Sequence, residues 1–296
     1  MSDAAMTLES EAPGGQAGTD GALLAPDEPR PFALANEAAL KGMGAPLLLV
    51  CDHASAFIPR ALDSLGLDEA QRARHIAFDI GIAEVTRRLA ERLDAPAVLS
   101  HFSRLIVDPN RPEDDPTLMP QISDGVIVPA NRALTPAERE ARLASFYRPY
   151  HAAVARAVEA RQRVLMRHGP GDKVCAPAIV SMHSFTPVMK GIERPWQVGI
   201  LWNRDARLPR PMIERLRARG LTVGDNEPYS GRDGHGHTLH HHAEPRGLPH
   251  VLIELRQDLI DTQHGAADWA ALLAEVLGEV LAGCLADPDV FAAEQH

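Results

Sequence analysis

The fold is indicated most directly by one run of residues, Pro46-Leu47-Leu48-Leu49-Val50-Cys51-Asp52-His53. An apolar run of strand length ends there in an acid and an imidazole, and the small residues Ala54-Ser55-Ala56 follow. Short continuous apolar runs are typical of strands buried on both faces, and ligands bind beyond the carboxyl ends of such strands in open α/β sheets. The run therefore predicts a buried central strand that delivers polar side chains to one edge of a sheet.

Two further apolar runs end in the same way. Residues 178–182 (AIVSM) precede His183, and residues 250–253 (HVLI) precede Glu254. A hydrolytic zinc site needs about three protein ligands, an open position for water and a nearby carboxylate that takes a proton. His53 and His183 suit the ligand role, and Glu254 suits the role of base. Taken singly, each histidine can instead be a hydrogen-bonded structural residue, and the glutamate a salt-bridged strand end.

Helical and strand patterns alternate along the rest of the chain. A helix is predicted from Asp68, its cap, to Leu93, and another from the start signal at Thr135 to about His168. Residues 105–107 (LIV) are predicted to form a short strand, and residues 225–249 a histidine-rich loop. Strands that alternate with helices predict an α/β three-layer sandwich around a mixed, mostly parallel central sheet.

Composition restricts the possible partners. The 296-residue chain has a formal net charge of −10, which argues against nucleic acid because polyanion binding needs clustered cations. No apolar run reaches the roughly 18 residues of a membrane span, and the N-terminus lacks the layout of a signal peptide. Three cysteines without a CxxC pair suit a reduced, cytoplasmic setting. Residues 1–30 are predicted to be a flexible tail, and residues 31–296 a single α/β domain.

Five blocks of sequence together resemble the N-formylglutamate amidohydrolase (N-formylglutamate deformylase) family. They are residues 52–55 (DHAS), 103–111 (SRLIVDPNR), 181–185 (SMHSF), 225–230 (DNEPYS) and 253–260 (IELRQDLI), in register from about residue 45 to 280. The resemblance implies a zinc-carboxypeptidase-like α/β fold. It also implies hydrolysis of N-formyl-L-glutamate to formate and glutamate, or of a closely related N-acyl acidic amino acid, in histidine degradation. Similarity to the wider zinc carboxypeptidase clan implies that His183 is a metal ligand and Glu254 the catalytic base.

The third metal ligand is less directly indicated. Zinc carboxypeptidases carry a Glu three residues after their first His, and Ala56 holds that position here. Asp79 lies where the amidohydrolase family tends to keep an acid. We therefore expect it to join His53 and His183 in holding one Zn²⁺ per chain, with other divalent metals possible. His75, one helical turn earlier on the same face, is the alternative ligand.

Arginines are the expected partners of an acidic substrate, because the guanidinium group pairs with carboxylates in a bidentate manner. Arg104 and Arg111 bracket the turn Asp108-Pro109-Asn110 in the second of these blocks, and the clan places an Asn-Arg pair on the substrate carboxylate, which favours Asn110 and Arg111. Arg256 is expected to face the same pocket as the catalytic glutamate, since residues two apart on a strand share a face. A surface salt bridge is the alternative for each arginine.

The segment from Gly234 to His242 contains five histidines, a composition typical of metal-binding tracts. In the family, a Tyr-Thr pair is followed by one His four residues after the Thr. Here Thr238 and His242 match, and His237 replaces the Tyr, so His242 is expected to be a pocket residue. Tyr229 is expected near the substrate. The missing Tyr leaves open a metal-dependent hydrolase of another N-acyl or amide substrate, or a non-catalytic metal- or ligand-binding homologue.

Overall fold

The computed structural model describes residues 23–168 and 176–286. The strands are β1 (Phe32–Ala35), β2 (Leu47–Cys51), β3 (Ala97–Ser100), β4 (Ile122–Ser123), β5 (Val126–Ile127), β6 (Ala178–Phe185), β7 (Val188–Met189), β8 (Ile192–Glu193), β9 (Val198–Leu201), β10 (Val223–Asp225) and β11 (His250–Arg256). The helices are α1 (Glu69–Arg72), α2 (Ile82–Arg92), α3 (Pro136–Arg142), α4 (Arg148–His168), α5 (Pro209–Ala218), α6 (His237–His242) and α7 (Gln263–Ala286).

Seven strands form one central sheet in the order β1-β3-β2-β6-β11-β9-β10. The pairs β3–β2, β2–β6, β6–β11 and β9–β10 are parallel, and the pairs β1–β3 and β11–β9 are antiparallel. The strands β4 with β5 and β7 with β8 form two separate short hairpins. The prediction of a mixed, mostly parallel sheet is confirmed.

Both faces of the sheet are covered, as the central apolar run predicted. Successive side chains of a strand point to opposite faces, so β2 divides its residues between two cores. Leu47 and Leu49 pack into a core with residues of α2, α5 and α7, whereas Leu48 and Val50 pack into a second core with residues of α4. All five residues of β2 are buried. The α/β three-layer sandwich is therefore confirmed.

The prediction of one continuous helix from Asp68 to Leu93 is wrong for the middle of this segment. Asp68 caps α1 as expected, in a capping box with Gln71, but residues 73–81 form turns and α2 begins only at Ile82. Gly81 has a φ of 80°, and a Cβ at this position would lie 2.2 Å from the carbonyl oxygen of Ile260. The interruption follows from tertiary contacts, because the backbone N–H of Asp79 bonds to the carbonyl of His53 at 2.9 Å.

Two other local predictions also differ from the structure. Residues 105–107 are buried but form a turn instead of a strand, since their backbone bonds locally, as from Ile106 N to the carbonyl of Ser103. The histidine-rich segment 225–249 is not only a loop, because it contains α6, whose residues Thr238 and His242 are buried. Burial against the sheet orders a segment whose composition suggested a loop.

The helix predicted from Thr135 is confirmed to its end at His168. Thr135 and Glu138 form a capping box, and one π-helical segment, Leu143–Tyr147, joins α3 to α4. None of the described helices is long and apolar enough to cross a bilayer.

The described part of the N-terminal segment contacts the domain. Leu23 and Leu24 are partly buried against the core on the α4 side, and Arg60 bonds to Asp27 and to Glu28. Most of the predicted tail lies outside the described residues, and so does the end of the predicted domain after residue 286. The boundary at residue 30 stays a prediction.

Candidate metal centre and active-site cavity

Three strands bring the predicted catalytic residues to the same edge of the sheet. His53 follows β2 by two residues, whereas His183 and Glu254 lie within β6 and β11, which extend two residues beyond them. The two strands are parallel neighbours, and His183 and Glu254 are register partners. Both side chains point to the α4 side of the sheet, because Met182 and Ile253 pack into the opposite core. The sheet itself therefore sets the spacing of this pair.

Asp79 completes a buried cluster with the two histidines. One ligand atom each from His53, Asp79 and His183 lies within 4.8 Å of the others, and no other such group occurs among the described residues. Asp79 Oδ2 accepts hydrogen bonds from His183 Nδ1 and from the backbone N–H of Ser184, both at 3.1 Å. We call His53, Asp79 and His183 the metal cluster. His75, the alternative ligand, lies outside it, 3.6 Å from Asp124.

A second carboxylate orients each histidine of the metal cluster. His53 Nε2 donates to Asp108 Oδ1 at 2.7 Å, and His183 Nε2 donates to Asp52 Oδ2 at 3.1 Å. Asp52 is fully buried, and its other oxygen accepts bonds from Tyr150 and Thr238, both at 2.7 Å. Carboxylates that hold the outer nitrogen of a ligating histidine fix its tautomer and increase its basicity. The Nδ1 atoms of both histidines therefore face Asp79, at 3.5 Å from His53 and 3.1 Å from His183, and a bound metal would take the place of the proton on His183 Nδ1.

The donor set fits a divalent cation. His53 Nδ1 is buried, and none of the described residues hydrogen-bonds it, although it lies 3.5 Å from Asp79 Oδ1. Leaving a buried polar atom unpaired is costly, typically 1–3 kcal/mol, unless another group satisfies it. Two imidazole nitrogens and one carboxylate are a common ligand set of hydrolytic zinc sites. His53, Asp79 and His183 are therefore the residues that would hold a metal.

The charged side chains of the site change one another's pKa values. Burial alone would lower the pKa of His183, but its hydrogen bonds to Asp52 and Asp79 outweigh burial and raise this pKa to about 10. The pKa values of Asp52 and Asp79 are lowered, since contacts with the histidines outweigh the opposing effect of burial. The carboxylates are thus ionised at neutral pH, as metal ligands and their supports must be.

Glu254 differs from the other acids of the site. Burial raises its pKa to about 7, despite the positive charges of neighbouring side chains. Its Oε2 atom is buried and accepts no hydrogen bond from the part of the chain that the structure describes. A carboxylate with a pKa near neutrality and a free oxygen can both accept and release a proton at pH 7. The electrostatics therefore suit a general base at this position.

A cavity of about 160 Å³ opens beside the metal cluster and Glu254. Of the predicted substrate-binding residues, Arg104, Asn110, Arg111 and Tyr229 line it. The guanidinium group of Arg104 donates two hydrogen bonds to Asp108 Oδ2, at 2.6 Å and 3.1 Å. Among the described residues, Arg111 makes one loose ion pair through its side chain, with Asp115 at 3.9 Å. Arg111 is accordingly the cation of this group that is better placed to receive an anionic ligand.

Two predicted pocket residues lie elsewhere. Among the described residues that line the cavity, His242 and Arg256 are missing. His242 is buried behind it and bonds through Nε2 to His151 Nδ1 at 2.9 Å. Arg256 shares a face with Glu254 as expected, but its guanidinium turns to Asp258 and to the carbonyl of Arg194. The spacing of residues along the chain predicts neither the contact of His242 nor those of Arg256.

Several site residues were not assigned from sequence. Asp52 and Asp108 lie inside the resembling blocks, and their position next to a predicted ligand or arginine was the available signal. His235 also lines the cavity and stacks on Tyr229, with ring centroids 5.3 Å apart. The match to the family pattern predicted only His242 of this histidine-rich segment as a pocket residue.

A buried cluster of two histidines and one aspartate that could hold a metal ion, with a buried glutamate beside it at one edge of a mixed sheet, is the kind of site found in metal-dependent hydrolases. The sequence is more specific. Residues 45–261 match the profile of the N-formylglutamate amidohydrolase family, which is most of the chain, so the protein belongs to this family of hydrolytic enzymes.

Known proteins agree with this assignment. The N-formylglutamate deformylase of Pseudomonas aeruginosa is 27% identical over 258 residues, covering 81% of this chain and 93% of that protein. A crystal structure of a gene product from Agrobacterium tumefaciens is 38% identical with a TM-score of 0.80, covering 88% of this chain and 98% of that one. The structure of an N-formylglutamate amidohydrolase from Ralstonia eutropha, 23% identical, has a TM-score of 0.64 over 86% of this chain and 97% of that one, and shares its fold.

Proposed function

We propose that the protein is a zinc-dependent amidohydrolase that cleaves N-formyl-L-glutamate, or a closely related N-acyl acidic amino acid, into the acid and the free amino acid. The observation that carries the proposal is the arrangement of the metal cluster, Glu254 and Arg111 around one cavity. The family and the name of the Pseudomonas relative support the substrate.

Each group of the site has a separate role in the proposed reaction. A divalent cation held by His53, Asp79 and His183 would polarise the acyl carbonyl and lower the pKa of water to about 7. Glu254 takes a proton from the attacking water and gives it to the leaving nitrogen, which its raised pKa permits. Arg111, with Asn110 beside it, receives a carboxylate of the substrate.

The direct test is formate release from N-formyl-L-glutamate by the zinc-loaded protein, with N-acetylglutamate and N-formylaspartate as comparison substrates. Glu254→Gln should retain bound zinc but lose activity by a factor of 10² or more, since general-base contributions are typically 10²–10⁴. Loss of zinc from this variant would place Glu254 among the ligands. No release of any acid from the panel by the wild-type protein would refute the proposal.

The substrate carboxylate is tested through Arg111. Arg111→Ala should raise KM strongly, on the order of tenfold or more, while the zinc content stays unchanged, because a charge-assisted hydrogen bond contributes roughly 1.5–3 kcal/mol. Arg256→Ala is the matched control, since this arginine lies outside the cavity and bonds to Asp258. Equal KM values for the two variants would remove Arg111 from the binding site.

A further inference from the structure

One face of the helix that covers the site carries two tyrosines and a histidine. Tyr147 ends the π-helical segment, and Tyr150 and His151 lie in the first turn of α4. Residues three and four apart share a face of a helix, and all three side chains are buried there. Their rings contact one another, with centroids 4.4 Å apart for Tyr147 and His151 and 5.5 Å apart for Tyr150 and His151.

Tyr150 reaches the metal half of the site. Its hydroxyl donates to Asp52 Oδ1 at 2.7 Å, and the other oxygen of Asp52 accepts the hydrogen bond from His183 Nε2. Thr238 donates to the same Oδ1 atom, also at 2.7 Å. The two hydroxyl groups therefore fix the carboxylate that orients His183, without contacting the metal cluster themselves.

Tyr147 reaches the substrate half. Its hydroxyl donates to the backbone carbonyl of Arg111 at 2.8 Å and lies 3.0 Å from His237 Nε2. Next to it, His151 Nε2 donates to the carbonyl of Pro109 at 3.0 Å. The helix thus holds the backbone of the turn from which the Arg111 side chain enters the cavity.

We propose that Tyr150 and Tyr147 are positioning residues that support the two halves of the site separately. Tyr150 sets the metal affinity through Asp52 and His183, and Tyr147 sets the substrate affinity through the backbone of Arg111. This inference rests on the proposed function for the role of Arg111, whereas the role of Tyr150 concerns metal binding alone.

The physical reason for the separation is the different acceptor of each hydroxyl. Asp52 is a fully buried carboxylate that accepts a hydrogen bond from His183 Nε2, and loss of a group that orients a metal ligand typically weakens metal binding 10–100-fold. The carbonyl of Arg111 is neutral, and a hydrogen bond between neutral groups contributes only about 0.5–1.5 kcal/mol, which corresponds to a few-fold to roughly tenfold change in KM.

Tyr147→Phe and Tyr150→Phe test the inference and control each other, since each removes one oxygen from the same helix face. Zinc affinity is measured for both with zinc alone, by competition with a chromophoric chelator, and KM and kcat by formate release at saturating zinc. Tyr150→Phe should raise the zinc dissociation constant 10–100-fold and leave KM within about twofold. Tyr147→Phe should raise KM roughly 3–10-fold, with kcat and zinc affinity within about twofold of wild type.

Thr238→Val removes the other hydroxyl group that bonds to Asp52 Oδ1. This variant should therefore show the same loss of zinc affinity as Tyr150→Phe. Wild-type zinc affinity in both of these variants would overturn the metal part of the inference, and an unchanged KM in Tyr147→Phe would overturn the substrate part. Parallel losses of both properties in both tyrosine variants would show a common scaffold and overturn the separation. A wild-type protein without deformylase activity would contradict the proposed function, and the zinc titration would still decide the role of Tyr150.

Discussion

At the scale of single residues, the site depends on carboxylates held in unlike surroundings. Asp52, Asp79 and Asp108 each contact a histidine or an arginine and have lowered pKa values, whereas Glu254 is buried with a free oxygen and has a pKa raised to about 7. Carboxyl groups whose environments drive their pKa values apart are suited to different tasks in one reaction. The structure thus separates three acids with lowered pKa values from one acid with a raised pKa.

The raised pKa of Glu254 predicts a pH-dependent loss of stability in the metal-free protein. Its folded-state pKa of about 7 exceeds its ordinary value of 4.5, so its contribution to stability is present below pH 4.5 and is lost as the pH rises through 7. A shift of this size corresponds to roughly 3 kcal/mol at about 1.4 kcal/mol per pKa unit. Glu254→Gln should therefore be more stable than wild type at pH 8, with the advantage vanishing near pH 4.5.

Thermal unfolding of both proteins in the presence of a chelator, measured between pH 4.5 and 8, checks this prediction. The titrating groups away from the site are common to the two proteins and cancel in the difference. A stability difference that does not change with pH would contradict the raised pKa.

Asp108 is predicted to support metal binding through His53. Asp108→Asn keeps the shape of the side chain but removes its negative charge. The carboxylate of Asp108 accepts the hydrogen bond from His53 Nε2 and forms an ion pair with Arg104. We expect zinc affinity to fall roughly 10–100-fold, as for other groups that orient metal ligands. Chelator competition measures the change, and Asp258→Asn, a surface acid paired with Arg256, is the control. Equal zinc affinity in the two variants would argue that Asp108 has no part in metal binding.

At the scale of elements, the strand that carries Glu254 pairs with β9, against which a neighbouring loop packs closely. Gly199 of β9 is the register partner of Glu254, and a Cβ on it would lie 2.3 Å from the carbonyl oxygen of Glu227 and 3.3 Å from Glu254 Cβ. The close approach leaves no room for a side chain. The absence of a side chain at this position therefore lets the loop at Glu227 pack against β9 directly beside Glu254.

A matched pair of glycine substitutions tests this packing. Gly199→Ala should destabilise the protein by about 1–3 kcal/mol and reduce activity, because the strand or the Glu227 loop must move. Gly278→Ala, in α7 with no atom within 4 Å of the added Cβ, should stabilise it by about 0.5–1 kcal/mol, since Ala favours the helix. Urea denaturation gives both values. The same sign for both substitutions would contradict the prediction.

At the scale of the whole molecule, the metal cluster joins distant parts of the chain. Its three residues come from the end of β2, from the turns before α2 and from β6, and the first and the last are 130 positions apart in the sequence. A ligand that binds only the folded state stabilises it by mass action, and a metal bound across several elements resists their separation. A metal bound by the cluster would therefore couple metal binding to the stability of the central sheet.

Zinc is accordingly predicted to raise the unfolding temperature. At a free zinc concentration 100-fold above the dissociation constant, the gain is about 2.7 kcal/mol, or on the order of 5 °C for a domain of this size. Asp79→Ala should lose most of the gain, whereas Asp258→Asn should keep it, because Asp258 lies on the surface beside Arg256. Calorimetry with and without zinc measures the shift. A full shift in Asp79→Ala would remove Asp79 from the ligand set.

The amino-acid sequence determined the central strands, the capped helices and the positions of His53, His183 and Glu254. These features depend on apolar runs, caps and strand ends, which are local properties of the chain. It did not determine the break between α1 and α2, the turn at residues 105–107 or the formation of helix α6. Contacts between distant segments override the local patterns at these three places.

Only the tertiary structure decided which polar side chains meet. Asp52 bonds to Tyr150, 98 residues away, and to Thr238, 186 residues away, and no spacing along the chain predicts such pairs. The same holds for His242 and Arg256, whose side chains turned to His151 and Asp258 instead of the cavity. Apolar burial follows a short period that can be found in sequence, whereas the partner of a buried polar group depends on the packing of elements that are remote along the chain.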